Sequence, residues 1–380
     1  MNIIKKTIVV SVMLASSAVS AGDDLVSIYQ QALQNDPTLK AEQKNLLATQ
    51  ELPKQARAVL LPKIDLKAHT TRNETRSSPT GFSTGLGLQL RKSFNSHDYT
   101  LTLRQPVYNH TLFVGVKQVK ALVNQALLNY TAADQELIIR TADRYFAVLA
   151  ADDDLAFAEA EKTAIERQLE QARQRFEVGL IAITDIHEAQ ARFDQAVAAQ
   201  ILADNLATRS REALREITFI YYQHLATLRD ESPLATPEPS NIDVWVYTAM
   251  EQNARVQAQV YGVKAALQDS RRIRAGHFPT VDLVGTHTYN SANSGRFSNG
   301  KTTSEDTMLS IEVKLPIFAG GLVNSQTREA GYRHAQAKDL LEVVQRQLVR
   351  QTRDAYWNIG ASLSSVIALR QARLSSQSAL

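Results

Sequence analysis

Residues able to do chemistry are few in this sequence, and they are scattered. The eight histidines, His69, His97, His110, His187, His224, His277, His287 and His334, include no pair four residues apart and no H-E-x-x-H, so no single helix presents a histidine metal pair. Asp152-Asp153-Asp154 is the densest carboxylate run, but consecutive residues of a helix point in different directions, and a solvated acidic patch accounts for it better than a cation site. Gly85-Leu86-Gly87 lacks a third glycine and a following helix, and no G-x-x-x-x-G-K-[ST] occurs, so no nucleotide cradle is present in the pattern. With no cysteine in 380 residues, a disulfide framework, a thiolate metal site, a cysteine nucleophile and a lipid anchor on cysteine are all excluded. These residues predict a protein that is not an enzyme and carries no cofactor and no metal.

Charge and composition narrow the class further. Lys and Arg number 42 against 39 Asp and Glu, far from the basic excess of a nucleic-acid binder. Only 15 Gly and 10 Pro accompany 44% apolar residues, which favours long uninterrupted helices. Met1 to Lys6 form a positive n-region, Thr7 to Leu14 an apolar h-region, and Val19-Ser20-Ala21 a small-residue cleavage site, so residues 1–21 read as a signal peptide of an exported chain. No later segment approaches the roughly 18 consecutive apolar residues of a spanning helix. A β-barrel and a soluble periplasmic protein remain.

The chain repeats itself at long range. Leu61-Pro62-Lys63-Ile64-Asp65-Leu66 returns as Phe278-Pro279-Thr280-Val281-Asp282-Leu283, a shift of 217. Gln105-Pro106-Val107-Tyr108 returns as Leu315-Pro316-Ile317-Phe318 at 210, and Asp143-Arg144-Tyr145-Phe146 as Asp354-Ala355-Tyr356-Trp357 at 211. Three blocks in one order predict a duplication, each copy running helix, strand, loop, strand, helix. The expected layout is a first repeat over 22–230, a linker over 231–240 and a second repeat over 241–380. Ile64, Leu66, Ala68 and Thr70 alternate with Lys63, Asp65, Lys67 and His69. Tyr99, Leu101 and Leu103 alternate with Thr100, Thr102 and Arg104 in the same way, and the pattern recurs around Val281 to Thr286 and Leu309 to Leu315. Period two over about 10 residues suits tilted transmembrane strands, and equally a half-buried strand of a soluble sheet. The polar tracts Asn73 to Ser96 and Asn290 to Thr307 are expected as loops.

From Val107 to about Val178 no proline occurs and Gly115 is the only glycine, which predicts a helix of about 70 residues, on the order of 100 Å long. Ile165, Leu169, Ala172 and Phe176 form an apolar stripe, continued beyond Gly179 by Ile186, Ala189, Phe193, Val197 and Ile201, so two antiparallel helices should meet at a tight turn. Charged residues such as Glu159, Lys162, Glu166 and Arg173 fill the solvated face.

The signal peptide, the duplicated helix-strand-strand-helix unit, L-P-x-[IV]-D-L at each first strand, and Arg175-Phe176-Glu177-Val178-Gly179-Leu180 followed by Ile183-Thr184-Asp185-Ile186 together resemble the TolC family of outer-membrane efflux and secretion channels. The resemblance runs from about Asp24 to Leu380. It implies an α+β membrane protein: a long α-helical coiled-coil tunnel in the periplasm, and four transmembrane strands per subunit that build a trimeric 12-stranded barrel in outer-membrane lipid. It also implies an exit duct for multidrug efflux and type I protein secretion, coupled through a periplasmic adaptor to an inner-membrane transporter of the RND, ABC or MFS type. Four strands cannot close around a lumen alone, so subunits of such a protein must join edge to edge. The alternative class is a soluble periplasmic adaptor with an α-helical hairpin, against which the duplicated pattern speaks.

After Trp357 the second copy has too few residues to match the second turn and return helix of the family, so a truncated, frameshifted or partial form is expected. The resemblance assigns Thr184 and Asp185 to the gate, Gln168 to contact between subunits, and Gly179 to the turn where the adaptor docks. Each has a structural reading beside it: Asp185 with Glu188 as a capping pair at a helix start, Gly179 as a left-handed helix cap, and Gln168 as an exposed helix residue.

Overall fold

The structure is a computed structural model that describes residues 23–77, 90–228, 235–292 and 301–378. The signal peptide, Gly85-Leu86-Gly87 and positions 231–234 of the expected linker lie outside the described residues. In chain order come α1 (Leu25–Asn35), α2 (Pro37–Ala58), β1 (Lys63–Ser77), β2 (Leu90–Asn109), α3 (His110–Glu177), α4 (Ile183–Thr218), α5 (Ile242–Gln252), α6 (Ala254–Arg274), β3 (Thr280–Ala292), β4 (Thr302–Lys314) and α7 (Leu322–Ser378). Helix, strand, strand, helix thus occurs twice. The described residues of 1–42 and 133–235 form one compact unit, and those of 43–132 and 236–380 form another.

Two expected boundaries move. Ladder pairing carries β1 on to Ser77 and starts β2 at Leu90, and likewise carries β3 to Ala292 and starts β4 at Thr302, so the polar tracts expected as loops are half strand. Ser, Thr and Asn there do not end the strands, because side-chain polarity does not by itself set backbone conformation. The long helix begins at His110 and not at Val107. Pro106 lies inside β2, beside a register shift that leaves Val107 unpaired between Pro106 and Tyr108. A bulge accommodates a proline that cannot donate to a ladder.

In the first unit the core joins Ile28 of α1, Tyr145 and Val148 of α3, Leu214 and Ile217 of α4, and Tyr222 and Leu225 beyond it. Burial raises the Tyr145 hydroxyl above the usual phenol range, with the Asp24 carboxylate adding to the effect, so it stays protonated and donates to the Ala226 carbonyl. Helices α3 and α4 run antiparallel: Arg173 donates to Gln190 at 3.0 Å near the turn, Arg211 to Asp152 at 2.6 Å farther away, and Arg144 meets Glu216 at 3.6 Å beyond that. On α4 Ala196 and Ala207 are buried, while Ile201, expected on the contact stripe, is 62% exposed.

Asp36 is 1% exposed and does two jobs. Its Oδ2 accepts the Leu39 amide at 2.7 Å, capping α2, and its two oxygens take Arg140 Nη1 and Nη2 at 3.3 and 2.9 Å. Asn253 is its counterpart in the second repeat, accepting the Val256 amide at 3.1 Å to cap α6. In the second unit α6 packs along α7, and Gln118 of α3 joins Asp269 and Arg272 of α6 at 3.1 Å each.

Asp36→Ala is expected to remove the cap and leave Arg140 unpaired at a buried site. Loss of one partner of such a pair costs about 3 kcal/mol, at the lower end of the range because Arg140 keeps some solvent. Asp36→Asn retains the cap and should lose markedly less. Thermal unfolding of the two variants in detergent will show this ordering.

Candidate functional site

Four antiparallel strands in the order β1-β2-β3-β4 form one sheet, and two-residue periodicity divides its side chains into two unlike faces. Ile64 pairs with Leu103, Leu66 with Leu101 and Ala68 with Tyr99; on the same face Leu103 pairs with Gly285, Tyr99 with Tyr289, Leu283 with Ile311 and Val281 with Val313. This face is mostly apolar and open: Ile64, Leu66, Leu309, Ile311 and Val313 are each between 63% and 73% exposed, while His287, opposite Leu101, lies 2.9 Å from Thr307. Aromatic rings mark both of its ends. Tyr99 and Tyr289 stack with centroids 5.2 Å apart at one end, and Tyr108 lies 6.3 Å from Phe113 at the other. The bulge matters here, since regular alternation carried through Val107 would turn Tyr108 to the face opposite Leu103 and Val281. Between the partners of Tyr99 and Tyr108, which are Tyr289 and Val281, eight ladder steps at about 3.3 Å each span about 26 Å along the strands.

The other face is charged and hydroxylated. Arg104 Nη1 reaches Asp282 at 2.8 Å and its Nη2 reaches Glu312 at 3.1 Å, tying β2, β3 and β4 together across three strands. His69 pairs with Asp98 at 3.2 Å, and Thr100 lies 3.5 Å from Thr288. An apolar face without a protein cover and a polar face laced with ions is the reverse of a soluble sheet, which hides its apolar side. Among the described residues no helix is long and apolar enough to cross a membrane. Opposite charges in the polar register were the signal available for the Arg104 network, which residue-by-residue motif reading misses.

The sequence-derived site residues lie at the α3–α4 turn, in the first unit. Gly179 adopts φ +79°. The Gly179 amide donates to Phe176 and the Leu180 amide to Arg175, both at 2.8 Å, the paired bonds of a left-handed helix termination. Val178 and Leu180 on either side are 70% and 73% exposed. Asp185 is not the start of a capping pair with Glu188. Ala182 precedes the helix, and Asp185, three residues on, reaches back with Oδ2 to the Ala182 amide at 3.2 Å; Glu188 instead binds Arg192 at 2.6 Å. An alanine at the cap has no side-chain oxygen, so the acid in the first turn supplies the end of the helix by itself. Gln168 is exposed on α3, and with Asp185 it lines one cleft of about 210 Å³ completed by Ile165, Glu188, Ala189 and Arg192. Thr184 is exposed beside Asp185 but does not line the cleft. None of the eight histidines is buried, and among the described residues no group of three His, Cys, Asp or Glu is placed to hold a metal.

The chain thus holds a long helical hairpin in one unit and a sheet with an exposed apolar face in the other, the two kinds of element a membrane channel subunit needs. Residues 28–218 and 245–380 match the family model described as outer membrane efflux protein, and the chain belongs to that family. It is 35% identical over 370 residues to the outer membrane protein TolC of Vibrio cholerae, an alignment covering 96% of this chain and 81% of the relative. It is 26% identical over 357 residues to the proteases secretion protein PrtF of Dickeya chrysanthemi, covering 92% and 76%. Among solved structures, the CmeC outer membrane channel of Campylobacter jejuni superposes with a TM-score of 0.72 at 17% identity, over 93% of this chain and 74% of that one, a likeness of fold. The protein is therefore an outer-membrane efflux or secretion channel of the TolC family, a family of channel proteins and not of enzymes. The alternative of a soluble adaptor finds no support in these relatives.

Since a Cβ at Gly179 would meet nothing within 4 Å, a substitution there is felt through the backbone alone. Gly179→Ala should cost about 1 kcal/mol in the turn, speeding exchange of the Leu180 amide by roughly fivefold. Gly179→Asn should lose less, and hydrogen exchange at Leu180 distinguishes the two.

Proposed function

We propose that three copies of the processed chain, cleaved after residue 21, close their sheets into one 12-stranded barrel in the outer membrane, with the helices forming a tunnel in the periplasm. The observation that carries this reading is the two-faced sheet with two open edges. Its apolar side matches lipid, its ion-laced side matches a water-filled lumen, and β1 and β4 each leave a row of backbone groups that hydrocarbon cannot satisfy. The duct is passive and non-enzymatic, and it serves drug efflux and type I secretion, the latter supported by the likeness to a protease secretion protein. An inner-membrane transporter of the RND, ABC or MFS type drives it through a periplasmic adaptor, and nucleic acid has no part. The two repeats, 22–230 and 241–380 about the 231–240 linker, supply matching halves of each subunit.

At the α3–α4 turn we assign Gly179, with exposed Val178 and Leu180, to adaptor docking, Thr184 and Asp185 to the gate, and Gln168 to contact between neighbouring subunits. One Asp185 oxygen caps α4, and the carboxylate is exposed enough to take a second, charge-assisted partner, worth about 1.5 to 3 kcal/mol.

Fractionation and cross-linking test the assembly. A trimer recovered with the outer membrane is expected, and a soluble periplasmic monomer would sink the channel reading. For the gate, Asp185→Asn keeps the cap and removes the charge, so higher single-channel conductance at unchanged thermal stability is expected in planar bilayers. Parental conductance would withdraw Asp185 from the gate.

A further inference from the structure

The open edges of the sheet carry charges whose order specifies how one copy meets the next, an inference that rests on the trimeric barrel proposed above. Among the described residues Lys67 on β1 and Lys314 on β4 have no ion-pair partner, while Glu312 on β4 is half-exposed with Arg104 at 3.1 Å. All three lie on the polar face, as does Asp65, which Lys63 of its own strand meets at 3.2 Å and which keeps its second oxygen for a partner across the edge.

Within one copy, the row of paired residues that starts at Lys67 passes through Thr100 and Thr288 and reaches the far edge at Asp306. In a closed barrel this row does not meet itself. Strands tilted about 35° to 45° with a rise of about 3.3 Å and a spacing of about 4.8 Å require a total stagger of about 12 to 18 residues around 12 strands. Threefold symmetry divides that into about four to six residues per copy. The step must be even, since an odd one would turn the polar face of one copy toward lipid. Strand ends choose its direction: displaced one way, all of β4 from Thr302 to Lys314 finds partners on β1, and displaced the other way only its first few residues do.

Charge then separates four from six. A stagger of four sets Asp65 opposite Glu312 and Lys63 opposite Lys314, like against like twice. A stagger of six sets Lys67 opposite Glu312 and Asp65 opposite Lys314, and on the apolar face it sets Leu66 opposite Val313 and Ala68 opposite Ile311. Opposite charges directly across an antiparallel pair are favourable and like charges are not. We infer that β1 and β4 of neighbouring copies pair with a six-residue stagger fixed by two ion pairs, Lys67 with Glu312 and Asp65 with Lys314.

The chain has no native cysteine, so paired cysteines read the register directly. Directly opposed residues have Cα atoms about 4.5 to 5.5 Å apart, within disulfide reach, whereas neighbours displaced by two positions are about 7 to 8 Å apart and outside it. Full-length chain in outer membranes carrying Lys67→Cys with Glu312→Cys should oxidise to covalent dimers and trimers, and Lys67→Cys with Ser310→Cys should not. Strong linkage through Ser310 and none through Glu312 would overturn the stagger while leaving the trimer intact. A native-gel trimer that links through neither pair would overturn it as well. Absence of any trimer would instead remove the barrel reading beneath it. In a cysteine-free arm, Lys67→Glu should reduce the native-gel trimer severalfold and addition of Glu312→Lys should restore it. Equal trimer in all three forms would show that the ion pair does not fix the seam.

Discussion

Backbone amides and carbonyls cannot be left bare in hydrocarbon, and in the barrel proposed above this constraint orders the whole sheet. The ladder pairs of β1 with β2, β2 with β3 and β3 with β4 meet the inner strands on both sides over their central stretch, from Ser96 to Arg104 on β2. Among the described residues the outer edges of β1 and β4 have no ladder partner. Each unmet group in lipid costs several kcal/mol, more than any side-chain interaction on this sheet returns, so side chains adjust to the ladder and not the reverse. In the proposed barrel the apolar face and the aromatic ends would locate the sheet in depth. The ion network of Arg104 fills the side where water can solvate what the protein leaves exposed.

A different balance holds in the helical part. Packing there is thin: long helices touch along narrow stripes of alanine, and the buried side chains gather where α1 meets α3 and α4. Specific polar ties, such as Asp36 with Arg140 and Arg211 with Asp152, supply the register that a narrow apolar seam leaves loosely determined. The second repeat uses the same devices with different chemistry. Asn253 replaces Asp36 at the helix cap, and Tyr356 donates to the Ser240 carbonyl at 2.6 Å as Tyr145 does to Ala226.

Much of this was legible in the residues. Alternation around Leu66 and Leu103 marked the strands, the absence of proline after Pro106 marked the long helix, and Gly179 marked its turn, because each is a local signal with one physical cause. Extension of the strands into Ser- and Thr-rich tracts was not legible, since ladder pairing there is set by a partner strand far away in sequence. Ile201 was misplaced for a related reason: periodicity names a face, while the course of the neighbouring helix decides how far along that face burial extends. The role of Asp185 turned on its neighbour, as Ala182 offers the helix end no oxygen. The buried pair of Asp36 and Arg140, 104 positions apart, left only the Asp-Pro helix start as a local trace.

The bulge at Val107 bears on which changes of length the gene can tolerate. Along the rest of β2 a single inserted or deleted codon would exchange the lipid-facing and water-facing sets for every residue on one side of the lesion, so strand length there can drift only in steps of two. At Val107 the alternation is already broken, and an odd change is absorbed between Pro106 and Tyr108 without turning either flank over. One unpaired residue thus lets the strand above it and the 68-residue helix below it vary in phase independently.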